Sequence, residues 1–97
     1  MTVEQTLRNE IEDSKKWIER DQDESTYKRD LKIRIQLINW ALDNLHNPNA
    51  NICKKIESKM DEILIKIKKS NSIFEMDPLD SELRNLNWIF YQVCNDE

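Results

Sequence analysis

Not one of the 97 residues is glycine, and the only prolines are Pro48 and Pro78. Two-residue β-hairpins favour glycine at positive φ, and phosphate-cradling loops need the close backbone approach that glycine permits. A chain without it is left with helices joined by short connections. With 38% hydrophobic residues the chain can build one core, and its length fits a single helical domain spanning 1–97.

Apolar spacing predicts four helices, over about 3–20, 24–46, 48–69 and 78–94. In the first, Val3, Leu7, Ile11 and Ile18 share a side behind Thr2 and Gln5, which have the spacing of a capping box, with Trp17 at the flank. The polar run "DQDEST" offers N-caps at Asp21, Asp23 or Ser25 but would also allow a continuous helix. The second helix carries Tyr27, Leu31, Ile35, Ile38, Leu42 and Leu45, and the third Ile52, Ile56, Met60, Ile63 and Ile67. Leu79, Leu83, Leu86, Phe90 and Val93 form the heptad-like stripe of the fourth. Asn47 before Pro48 and Asp77 before Pro78 read as N-cap and first helical residue of helices three and four, which leaves "SNSIFEMD" as a loop. The expected fold is all-α, a four-helix antiparallel bundle, with a three-helix arrangement in which helices one and two are fused as the alternative.

A wheel centred on each stripe leaves apolar side chains over. On helix four Trp88 falls opposite the stripe and Tyr91 to one side, near Arg84; on helix two Trp40 falls opposite, adjoined by Ile33 and Leu37. Tryptophan and tyrosine dominate binding hot spots, so these six residues are the expected partner interface. "LINWAL" at 37–42 and "NLNWIF" at 85–90 align at an offset of 48, but helices one and three do not match at that offset, which favours chance over repeat.

Charge is uneven along a chain whose net charge is −4. Residues 1–24 carry 8 acidic and 4 basic side chains and residues 71–97 carry 6 and 1, whereas 25–50 carry 2 and 4 and 51–70 carry 3 and 6. If helices one and four are neighbours, Glu4, Glu10, Glu12, Asp13, Asp80 and Glu82, with Asp96 and Glu97, make an acidic edge suited to steering a basic protein such as a nuclease. Lys28, Lys32, Lys54, Lys55, Lys59 and Lys66, with Arg29, Lys68 and Lys69, would make a basic edge of helices two and three. A pI of about 5.1 argues against nucleic acid as the partner.

No catalytic, metal or cofactor set can be assembled. His46 is the one histidine and sits where it would cap the end of helix two, and the carboxylates have no Glu-x-x-His partner. The opening "MTVEQTLRNEIED" lacks the basic and apolar regions of a secretory signal, and no apolar run reaches membrane-spanning length, so the cytoplasm is the expected compartment. An antiparallel hairpin of helices three and four would bring Cys53 and Cys94 level with each other, within reach of a disulfide; a reducing cytosol favours two small buried thiols. The expected function is non-enzymatic: an acidic protein-binding module that inhibits or neutralises another protein, in the manner of an immunity protein, an antitoxin or a phage anti-defence factor. The alternatives are a homo-oligomeric regulator or structural subunit, and a nucleic-acid-binding regulator using the basic edge.

Overall fold

A computed structural model describes residues 2–20, 26–47 and 51–94. Among them are four α-helices, α1 (Val3–Arg20), α2 (Thr26–Leu45), α3 (Ile52–Lys69) and α4 (Ile73–Cys94), and no strand. The suggested caps at Asp21, Asp23 and Ser25, and Pro48, lie outside the described residues.

Local chemistry sets the ends. Thr2 Oγ1 accepts the Gln5 N–H at 3.1 Å and caps α1, while the Gln5 side chain bonds Asn9 instead of closing a capping box. Both Asx–Pro start signals misplace a helix. Asn47 closes a turn behind α2 by donating to the Asn44 carbonyl, and the N-cap of α3 is Asn51, whose side chain accepts from the Lys54 N–H. The fourth helix begins at Ile73, inside the expected loop, and carries Pro78 within it. Its start is a capping pair: Ser72 Oγ accepts the Glu75 N–H at 3.3 Å, and Glu75 in turn accepts the Asn71 N–H at 3.0 Å. Proline is tolerated this close to a helix start because its missing N–H removes a single bond, the one to the residue 74 carbonyl.

The helices form a four-helix antiparallel bundle in which α1 pairs with α2, and α3 with α4. His46 lies 3.1 Å from Glu4, bringing the end of α2 to the start of α1, and Cys53 is bonded to Cys94, bringing the start of α3 to the end of α4. The two hairpins meet mainly through α2 and α4, which run in the same direction, while α1 with α4 and α2 with α3 only touch. The bundle is thereby flattened, with extents of 38 × 35 × 22 Å. The expectation that helices one and four, and two and three, would be close neighbours is corrected by this arrangement.

Apolar coverage explains it. The outer helices each bury one stripe, Leu7 and Ile11 on α1, Ile56 and Ile63 on α3, whereas α2 buries Leu37, Ile38, Ala41 and Leu42 over a wide arc. A helix apolar on two sides is stable only between two neighbours. Leu37, expected on the outer surface, is therefore in the core, and Ile33 is half-buried against it. Tyr27, expected in the core stripe, is exposed at the start of α2. On α4 the fully buried pair is Leu86 and Ile89, with Phe90 half-buried.

Cys53 and Cys94 form a disulfide, Cα to Cα 5.9 Å, in place of the two thiols expected in a reducing cytosol; it joins positions 41 residues apart. Restricting the unfolded chain by a loop of that length is worth roughly 3–4 kcal/mol. Cys94→Ser should lower the denaturation free energy by about that amount, and thiol titration of the unfolded wild type should find no free cysteine. Leu37→Ala should cost about 2–5 kcal/mol, as for a buried leucine, where an outward-facing one would cost under about 0.5; urea denaturation of the variant distinguishes the two.

Candidate functional site

Between α2 and α4 the surface opens into a hollow of about 220 Å³, lined by Tyr27, Asp30, Leu31 and Arg34 of α2 and Ser81, Arg84 and Asn85 of α4. Both sets follow helical spacing of three and four residues, so one face of each helix supplies its wall. The space exists because α4 presents small or polar residues here, where elsewhere it presents Leu86 and Ile89.

Arg34 organises the wall. Its Nη1 donates to Glu10 Oε1 of α1 at 2.6 Å, its Nε donates to Asn85 Oδ1 of α4 at 2.8 Å, and its guanidinium lies 5.1 Å from the centre of the Trp88 ring. One side chain thus ties three helices and covers a tryptophan face, with a cation–π contribution of about 0.5–2 kcal/mol. Asn85 is only 5% exposed, and its amide must be paired to be buried there. Its Nδ2 donates to the Asp30 carbonyl at 3.4 Å and to Ser81 Oγ at 3.5 Å, both long bonds. At the rim Asp30 accepts from Arg29 at 3.2 Å and lies 3.8 Å from Arg84, which donates to Asp80 at 3.0 Å. Arginines and carboxylates alternate around the opening, so its surroundings favour hydrogen bonding with a polar chain over attraction of a single charge.

The residues expected to form one interface are dispersed. Arg84 lines this hollow and Trp88 lies behind its Arg34 wall, with Tyr91, 65% exposed, less than one turn beyond. Trp88 is half-buried against the core, not free as its wheel position implied, because Arg34 and α2 cover it. Trp40 is half-buried against the core with Lys59 Nζ of α3 5.2 Å from its ring centre, while Ile33 and Leu37 serve the core.

The two charged edges do not assemble, because the helices meant to share them hardly meet. Among the acidic residues, Glu10 is engaged by Arg34, Asp80 by Arg84, and Glu4 by Arg8 at 2.8 Å and by His46. The Arg8 hydrogen bond holds the Glu4 carboxyl below its ordinary value; desolvation, the next largest effect, opposes it, and the charges of His46 and Arg8 add smaller lowering contributions. Glu12 lines a separate α1–α2 groove beside Arg8 and Lys15; Asp13 is exposed and Glu82 half-buried. Asp96 and Glu97 lie outside the described residues. Of the lysines, Lys55 donates to Asn44 at 2.8 Å and Lys59 covers Trp40; Lys28 is half-buried, and Lys32, Lys54 and Lys66 are exposed. Among the described residues no three His, Cys, Asp or Glu side chains converge as a metal site would require. No helix among them is long and apolar enough to cross a membrane.

Sequence reading overlooked Tyr27, Arg34 and Asn85 as site residues. The signal for the latter two was present: an arginine inside the apolar run "KIRIQL" and an asparagine between Leu83 and Leu86 are polar groups at positions a core helix would fill with carbon.

Arg34→Met or Asn85→Leu alone should each cost roughly 1–3 kcal/mol by stranding the partner's polar atoms, and the double variant should cost less than their sum. A urea-denaturation double-mutant cycle checks this. No family model matches the chain, and no curated protein or solved structure is similar enough to lend it a function.

Proposed function

We propose that this protein acts by binding another protein, as an inhibitory or neutralising module of the immunity-protein, antitoxin or anti-defence kind, and that it catalyses no reaction itself. The observation that supports the reading is the meeting of Tyr27, Arg34 and Arg84 around one concave opening, with the Trp88 ring packed behind Arg34. Tyrosine, arginine and tryptophan are the residue types that carry binding energy, and a hollow beside them can receive a partner side chain. The rim ion pairs supply orientation more than affinity. A net charge of −4 favours a partner with a basic surface, such as a nuclease.

This reading sets the protein to work in the cytoplasm, where a disulfide is normally reduced. It therefore requires the chain to remain folded with Cys53 and Cys94 as thiols, a condition that the Cys94→Ser variant also tests.

The partner is sought by affinity capture from extract of the source cells, with wild type and with a Tyr27→Ala, Arg84→Ala variant compared at equal helicity. One protein should be retained by wild type, its activity should fall when the module is added back, and the double variant should bind it at least about 30-fold more weakly, as loss of a hot spot implies. Equal retention by the variant, or a captured protein whose activity is unaffected, overturns the reading.

A further inference from the structure

The most exposed large apolar side chains lie at the α3–α4 turn: Phe74 is 91% exposed and Ile73 73%. Beside them is a second hollow of about 210 Å³, walled by Ile67 of α3 and by Ile73, Met76, Asp77 and Asp80 of α4. Phe74 and Asp77 are three residues apart on α4, so an apolar knob and an apolar hole sit side by side on the same turns. Phe74 projects about 100° around the helix from Ile73 and cannot fold back to fill the hole beside it.

A knob and a hole at a fixed offset are what a two-fold axis matches, since in an isologous contact each copy offers both. Charge has the same self-complementary form. The last turn of α3 carries Lys66, Lys68 and Lys69, and the first turns of α4 carry Asp77, flanked by Glu75, which caps the Asn71 N–H, and Asp80, which pairs with Arg84. Turned by a two-fold, the lysines of one copy face the carboxylates of the other.

We propose that Phe74 of one copy enters the Ile67–Met76 hollow of a second copy, and the reverse, so that the α3–α4 turn is a homodimer contact. The occupant is a second copy and not an anionic lipid surface, because the carboxylates beside the hollow would oppose the latter while they complement the lysines of a twin. This contact meets the Tyr27–Arg84 opening only at Asp80, which accepts from Arg84, and does not rest on the inhibitory reading.

Sedimentation equilibrium from micromolar to millimolar protein tests it. The wild type should show a monomer–dimer equilibrium, and Phe74→Ala should move its midpoint to about 30-fold higher concentration with helicity unchanged. Lys68→Glu with Lys69→Glu in one chain, and Asp77→Lys in another, should each weaken self-association; mixing the two should restore dimer as a heterodimer, which misfolded variants cannot do. The proposal is overturned by a wild type monomeric throughout, by an equilibrium indifferent to Phe74→Ala, or by a mixture no tighter than its parts. Phe74-dependent binding of the monomer to anionic vesicles would also overturn it. The Tyr27→Ala variant, which leaves the Arg84–Asp80 pair intact, should dimerise like wild type, so that loss of partner binding and loss of dimer are read separately.

Discussion

The rest of the structure depends on the seam between α2 and α4. Each of these helices carries more apolar surface than one neighbour can cover, and the two meet directly. Everything else follows from which sides remain. The narrower stripe of α1 closes over one side of α2, and that of α3 over one side of α4. The bundle flattens because the central pair draws together where a square bundle would hold all four helices at similar separations. Leu37 is buried for the same reason, and the acidic helices α1 and α4 are kept from sharing an edge.

That seam is not wholly apolar, and its polar part selects the register. Sliding α4 one turn along α2 would move Asn85 away from Arg34, leaving a buried amide without its Arg34 donor and its Asp30 carbonyl acceptor, at about 1–3 kcal/mol for each stranded group. An apolar seam of leucines and isoleucines would penalise the slip much less. Arg34 extends the constraint to α1 through Glu10 and to Trp88, so the same guanidinium that holds the helices in step also shapes the wall of the opening. Structural specificity and the candidate binding surface share side chains here.

Periodicity made the four helices and their antiparallel order legible, and the level positions of Cys53 and Cys94 followed from the hairpin alone. Helix starts were less legible. Asx–Pro is a permissive signal, since proline tolerates the first helical position without requiring it, while Ser72 with Glu75 satisfies backbone N–H groups a turn earlier. Reading 70–77 as a loop removes Phe74 from any helix face, so the most exposed aromatic goes uncounted. The outward group failed for a different reason. A wheel drawn about one stripe assigns the second stripe to solvent, and for α2 that second stripe was Leu37 and its neighbours packing on another helix. Arg84 and Trp88 were placed near the right surface because their neighbours on that face of α4, Ser81 and Gln92, are polar. Tyr27 was lost to the rule that an aromatic at stripe spacing is core, a rule that weakens at a helix end where the neighbouring helix has already turned away.

The two ends of the bundle differ in how they are held, and this bears on where association occurs. At one end the disulfide, the Glu4–His46 contact and the Lys55–Asn44 bond tie helix starts to helix ends. Cross-links of this kind stabilise without demanding more apolar burial. At the other end α1 and α3 finish and α2 and α4 begin, and there Trp17, Tyr27, Ile73, Phe74 and Met76 are exposed. Arg20 lies 5.4 Å from the centre of the Trp17 ring and shields part of it, but Phe74 has no such cover. A fold closed by covalent and polar ties at one end can leave apolar surface uncovered at the other without losing its core. A surface so placed can engage a second molecule without drawing on the residues that pack the α2–α4 seam, Leu37, Ile38, Leu86 and Ile89.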